Sequence, residues 1–98
     1  MAILLPMIAT FKCRDTQDLF EGKRVARFVN IETVAIRKLV MINRAVTLDD
    51  LRIPPSNRLK PLLGDKAGYW SVRINDQWRV CFRFVDGQAF DVEIVDYH

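Results

Sequence analysis

The sequence closes on Gln88-Ala89-Phe90-Asp91-Val92-Glu93-Ile94-Val95-Asp96-Tyr97-His98. An alternating strand pattern runs straight into Asp96-Tyr97-His98. His98 is the only histidine of the chain, and histidine is the side chain whose unperturbed pKa lies nearest neutrality. A strand end that delivers an imidazole beside a carboxylate and a phenol builds an acid–base cluster at the rim of a sheet. The competing reading is a frayed terminus without a role. Cations accompany the triplet. Period-two alternation puts Arg73 (with Tyr69 and Ser71), then Arg79 and Arg83 (with Cys81), on one polar sheet face with Asp91 and Glu93. Arg58 and Lys60 alternate outward on a neighbouring strand, and Lys66 sits in a glycine loop. Guanidinium groups bind phosphates bidentately.

Such a set can cleave RNA without a metal. A base takes the 2′-hydroxyl proton, cations stabilise the crowded phosphorane, and an acid protonates the leaving 5′-oxygen. No nucleophilic serine or cysteine triad and no glycine-rich phosphate loop with a following helix is present. For Arg83 the bland alternative is preferred, a cross-strand ion pair with Asp91 or Glu93. For Arg79, beside Trp78 and near the Asp76-Gln77 turn, it is not. Trp70 and Trp78 could stack bases, but their pattern assigns them to the core.

The elements that must position these groups fit one small domain of 98 residues, residues 1–98. The net charge of +3 permits a nucleic-acid partner without demanding one. Cys13 and Cys81 are far apart and in no metal or redox spacing. Neither a structural zinc site nor any other cofactor is expected. The cysteine usage fits a cytoplasmic, reducing location. No stretch approaches a membrane span, and the apolar opening makes a poor signal peptide. Met7 begins a better-formed strand than Met1, so residues 1–6 are read as an upstream extension.

Residues 7–13 read as a first strand. Asp15 or Thr16 can cap a short helix to Glu21 that Gly22 ends. Asn30 can cap the longest helix, about residues 31–45. Its apolar stripe is Ile31, Val34, Ala35, Leu39, Ile42 and Ala45, and Arg37, Lys38 and Arg44 share its polar part. Thr47 and Asp50 have capping-box spacing for a further helical turn. Residues 58–62 form a short edge strand with a proline. Residues 69–75, 78–85 and the final strand alternate, with Asp86-Gly87 as a hairpin turn. Trp70, Val72, Ile74, Trp78, Val80, Phe82, Phe84, Phe90, Val92 and Ile94 point inward. The expected fold class is α+β, with two N-terminal helices packed on one face of an antiparallel sheet of four to five strands.

Three segments carry a resemblance. Leu59-Lys60-Pro61-Leu62-Leu63-Gly64-Asp65-Lys66-Ala67-Gly68-Tyr69-Trp70-Ser71, Asn75-Asp76-Gln77-Trp78-Arg79-Val80-Cys81-Phe82 and Val95-Asp96-Tyr97-His98 resemble the HigB toxins of the RelE/ParE superfamily. The opening Phe11-Lys12-Cys13, Asp15-Thr16 and Leu19-Phe20 is similar to that family's, so the resemblance covers about residues 7–98. It implies the RelE/ParE-like fold and a type II toxin inhibited by a helix-turn-helix antitoxin of the HigA type. It also implies metal-free cleavage of mRNA in the ribosomal A site, leaving a 2′,3′-cyclic phosphate. Arg79 matches the family's phosphate-contacting arginine, Asp96, Tyr97 and His98 its catalytic triplet, and Arg73 a less secure position. The chain departs from the pattern twice: Lys60 stands where many relatives carry histidine, and Leu63 where many carry lysine. Lys60 can stabilise a phosphate but is a poor base at neutral pH. The base role is therefore expected of His98 or Asp96, with Tyr97 orienting, and mild activity or an altered codon preference follows.

The expected site is thus Lys60, Arg79, Asp96, Tyr97 and His98 for catalysis, with Arg58, Lys66 and Arg73 for RNA. The free toxin is expected to be a monomer and to form a heteromeric complex with its antitoxin. The superfamily also contains gyrase-poisoning members, so fold alone leaves a binding toxin as the alternative. A small interaction domain whose basic face merely holds an antitoxin is the third reading.

Overall fold

Alternation and turn chemistry generate most of the elements seen in the computed structural model, which describes residues 7–97. The reading of residues 1–6 as an extension, and the placement of His98, lie outside the described residues. The chain runs β1 (Met7–Ile8), α1 (Arg14–Phe20), α2 (Glu32–Arg44), β2 (Lys60–Pro61), β3 (Trp70–Arg73), β4 (Trp78–Val85) and β5 (Gln88–Asp96). Short 3-10 turns fill the connections at Ala26–Phe28, Leu48–Arg52, Pro55–Asn57 and Gly64–Lys66. The five strands form one sheet in the order β1-β5-β4-β3-β2. β2 to β5 are antiparallel, but β1 lies parallel to β5, so the sheet is mixed rather than wholly antiparallel.

The first strand is shorter than residues 7–13. After Ile8 the chain follows β5 through the Phe11–Val92 bridge and hydrogen bonds at Ala9 and Thr10 rather than as a regular strand. Neither α-helix start is capped as the sequence suggests. Thr16 is fully buried, and its hydroxyl accepts the Ile94 amide at 3.0 Å. That bond ties α1 to β5, and α1 begins earlier, at Arg14. Helix α2 begins at Glu32 without a side-chain cap from Asn30. The capping box at Thr47 and Asp50 is present. Two backbone hydrogen bonds to the Asp50 carboxylate, from Thr47 and Val46, hold its pKa below the usual value. Gly22, at φ +90°, ends α1 in the left-handed conformation that glycine adopts without a steric penalty.

Leu19 of α1, Leu39 and Ile42 of α2, and Val72, Val80, Phe82, Val92 and Ile94 of the sheet share one buried cluster with Phe28 and Leu51. Each large apolar side chain there contributes roughly 1.5–3 kcal/mol by leaving water. Trp70 and Trp78 pack half-buried against this core, and Trp78 meets Phe28 edge-on with centroids 5.6 Å apart.

The β4–β5 hairpin turns at Asp86-Gly87, both at positive φ, as its two-residue loop requires. Further along, the register shifts by one between Cys81↔Glu93 and Arg83↔Phe90. Asp91 takes φ +55° at this bulge. The consequence corrects an alternation argument. Ala89, not Phe90, points into the core, and Phe90 lies opposite Arg83 with its ring centroid 5.4 Å from the guanidinium carbon. A second correction concerns α2. Lys38 is 6% exposed and inside the protein, not on the polar face with Arg37 and Arg44.

Candidate active site

Arg79 is the centre of the site. It leaves β4 one residue after Trp78 and is 8% exposed. Its Nε donates to Ser71 Oγ at 2.8 Å, and its Nη2 donates to the Arg58 carbonyl at 2.7 Å. Both partners are neutral, so they fix the guanidinium without cancelling its charge. Burial pushes the Arg79 pKa down from its ordinary value, against pulls upward from Cys81 and Tyr97. An arginine starts so high that it stays cationic.

The Arg79 guanidinium carbon stands 5.8 Å from the Tyr97 ring centroid, and Lys60 Nζ lies 5.2 Å from the same centroid. Lys60 comes from edge strand β2, Arg79 from β4, and Tyr97 from just beyond β5. Three strands thus converge on one phenol ring flanked by two cations. Arg73 neighbours Arg79 across β3 and β4, and its Nη2 pairs with Asp76 in the connecting turn. Arg58, Leu59, Lys60, Arg73, Asn75, Asp76, Arg79 and Tyr97 line an open cleft of about 610 Å³. That lining holds four cations and a single carboxylate, Asp76, which is fully exposed.

The turn from residue 75 to 77 holds the end of β5. Asn75 Oδ1 accepts the Gln77 and Trp78 amides, both at 2.8 Å. Gln77 then bonds both neighbours of the strand end: its carbonyl accepts the Tyr97 amide, and its Nε2 donates to Asp96 Oδ2 at 3.1 Å. Asp96, the last residue of β5, lies opposite Trp78.

Of the residues expected from sequence, the cleft therefore gathers Arg58, Lys60, Arg73, Arg79 and Tyr97, with Asp96 beside it. Lys66 sits on the exposed Gly64–Lys66 turn and is not part of the cleft lining. Arg83 forms the expected ion pair with Asp91, Nε to Oδ2 at 3.0 Å. Sequence reasoning missed Ser71 and the Arg58 carbonyl as anchors of Arg79, and Gln77 as the clamp on the triplet. For Ser71 a signal existed: strand alternation puts it on the face of Arg73 and Arg79. A backbone carbonyl leaves none. Among the described residues no group of three His, Cys, Asp or Glu side chains could hold a metal ion.

A fixed buried arginine, further cations and a phenol thus share one open cleft whose charge is complementary to an anion. The chain matches the family model for RelE-like toxins of the type II toxin–antitoxin system HigB over residues 11–98. It is 37% identical to Toxin HigB-1 of Vibrio cholerae over 87 residues, which is 87% of this chain and 92% of that one. It is 35% identical to Endoribonuclease HigB of Proteus vulgaris over 94 residues, 94% of this chain and 100% of that one. This chain belongs to the HigB-like toxin family.

Proposed function

We propose that this toxin is a ribosome-dependent, metal-independent mRNA endoribonuclease that inhibits translation. The observation that carries the reading is the Arg79 guanidinium, held by neutral partners and facing a phenol and a second cation. The name of the Proteus vulgaris relative, an endoribonuclease, supports the reaction class.

In this reading the 2′-oxygen of the substrate attacks the adjacent phosphorus, and the bond to the 5′-oxygen breaks. The products are a 2′,3′-cyclic phosphate and a 5′-hydroxyl. His98 or Asp96 removes the 2′-hydroxyl proton. Arg79 and Lys60 stabilise the charge that grows on the non-bridging oxygens. Tyr97 orients the phosphate, and the Lys60 ammonium or a His98 imidazolium returns a proton to the leaving oxygen. Arg58 and Arg73 hold flanking phosphates in the cleft, and Lys66 meets the RNA beyond it. The whole of residues 1–98 acts as one toxin domain with residues 1–6 as an extension. It works in the cytoplasm, is monomeric when free, and is silenced in a heteromeric complex with a HigA-type antitoxin. Among the described residues no helix is long and apolar enough to cross a membrane.

The test is cleavage of a reporter mRNA on purified programmed ribosomes with chelator present, wild type beside His98→Ala, with both product ends identified. A-site cuts that persist in chelator, end in a cyclic phosphate and disappear with the variant are the expected outcome. Reporter mRNA left uncut by the wild-type protein would remove the nuclease reading and leave a toxin that binds a non-RNA target such as DNA gyrase.

A further inference from the structure

Lys38 is the one residue of α2 whose environment contradicts its type. Its side chain enters the protein interior, where an ammonium is costly unless it is bonded. Nζ donates to Asn57 Oδ1 at 2.6 Å, in a buried contact. Asn57 is itself completely buried. Its Nδ2 donates to the Leu51 carbonyl at 3.1 Å and lies 3.5 Å from the Ile53 carbonyl. No ion pair involves Lys38 among the described residues. The nearby charges are cationic: burial lowers the Lys38 pKa most, followed by Arg37 and Arg73.

Asn57 closes the 3-10 turn Pro55–Asn57, and the next residue, Arg58, takes the left-handed conformation at φ 44°. A non-glycine residue holds that conformation only where its surroundings fix it. The Arg58 amide donates to the Pro55 carbonyl at 3.0 Å. The Arg58 carbonyl then points at Arg79 and accepts Nη2. An unbroken series of contacts therefore runs from Lys38 through Asn57 and the turned Arg58 backbone to the Arg79 guanidinium.

We propose that Lys38 is a positioning residue: from behind the cleft its ammonium anchors Asn57, and through the Arg58 turn it sets the Arg79 guanidinium in place. The consequence for phosphate chemistry rests on the reading of the cleft given above, but the positioning itself does not. A cation at this place has a second effect. It adds positive charge near Arg73 and is not part of the cleft lining. Methionine could fill the same volume but would leave Asn57 Oδ1 buried without its donor, and the turn free to relax.

The positioning can be read directly from the Arg79 Nη2–H signal in a low-temperature proton–nitrogen NMR spectrum, whether or not the protein cleaves RNA. In the wild type this proton, donated to the Arg58 carbonyl, is expected to be protected from solvent exchange. In folded Lys38→Met its protection should fall roughly tenfold, the loss that a hydrogen bond's worth of anchoring produces. Lys38→Arg, which keeps charge and donors, should restore most of it. A purely structural lysine would lower the melting temperature and leave the Arg79 signal unchanged in the folded fraction. That result would overturn the proposal. Should Lys38→Met fail to fold, the unmodified protein still decides. Opening of the Arg58 turn must release the Arg79 Nη2 bond, so the Arg58 amide and the Arg79 Nη2 proton should show matching protection factors. An arginine proton exchanging freely behind a protected Arg58 amide would overturn the proposal as firmly. Reporter mRNA left uncut by a wild-type protein with a protected Arg79 would sink the nuclease reading and spare this one.

Discussion

The outer face of the sheet carries two arginine–tyrosine sites built to opposite ends. At one end Arg79 stands with Tyr97; further along β4, Arg83 stands with Tyr69. Arg83 meets a carboxylate. Asp91 Oδ2 accepts Arg83 Nε at 3.0 Å and the Tyr69 hydroxyl at 3.1 Å. The bulge at Asp91 makes this pairing possible, and Phe90 covers the guanidinium. Lys12 stacks over Tyr69 at 5.9 Å from its centroid. Among the described residues the hydrogen-bond acceptors of Arg79 are a hydroxyl and a carbonyl. One arginine is paired with a carboxylate, and among the described residues the other is held by neutral acceptors. The difference teaches that the partner, not the arginine, decides whether a guanidinium is available for phosphate. A carboxylate consumes the charge, whereas neutral acceptors orient it.

That contrast can be sharpened with the two tyrosines. Tyr97→Phe is expected to slow cleavage on ribosomes by about 10²-fold, the cost of a misplaced reacting group. Tyr69→Phe should leave cleavage unchanged and lower stability by about 0.5–1.5 kcal/mol in urea unfolding, the value of one hydrogen bond. Equal effects on cleavage would erase the distinction between the two ends.

Ser71→Ala probes the anchoring of Arg79 alone. It leaves a buried Nε–H without its acceptor, for an expected cost of about 1–3 kcal/mol in urea unfolding. Cleavage should fall more than that cost in folded protein explains, because the guanidinium loses one of its two supports. Unchanged turnover in the folded variant would show that the Arg58 carbonyl suffices.

The smallest effect is a pH dependence at the other end. The Arg83 side chain, then the Tyr69 hydroxyl, hold the Asp91 pKa below its ordinary 3.8. The folded state therefore binds fewer protons than the unfolded one in that range. The contribution is complete above pH 3.8 and is lost as pH falls through the lower folded value. Asp91→Asn should flatten this acid slope in melting temperatures measured between neutrality and pH 2. A slope unchanged by the substitution would mean that the pair is too exposed to contribute.

Much of this was legible in the sequence. Alternation found β3, β4 and β5, the Asp86-Gly87 turn and the shared face of Arg58, Lys60, Arg73 and Arg79, because strand geometry is strictly period two. It failed at Phe90, where one extra residue at Asp91 reverses the faces beyond it. Thr16 and Asn30 look like helix caps by type. Thr16 is used instead by a strand more than seventy residues away in sequence, a contact that local rules cannot see. Lys38 fits a polar helix face by type and is buried because Asn57, from a later loop, reaches it. The preference for Arg83 as an ion pair followed from the general weight of cross-strand pairing with Asp91 or Glu93, and the preference against one for Arg79 from its place beside Trp78 and the Asp76-Gln77 turn. The anchors of Arg79 are a diagonal serine and a backbone carbonyl, and the second has no residue type to read.

The most direct test sets the two arginines side by side. Single-turnover cleavage of reporter mRNA on programmed ribosomes would be measured for Arg79→Ala and Arg83→Ala, with folding of each checked by thermal melting. The account expects Arg79→Ala to lose roughly 10²–10³-fold in rate, as when a preorganised donor to a developing oxyanion is removed. Arg83→Ala should stay near the wild-type rate. Equal losses, or a larger loss at Arg83, would contradict the claim that the neutral partners of Arg79 reserve its charge for phosphate.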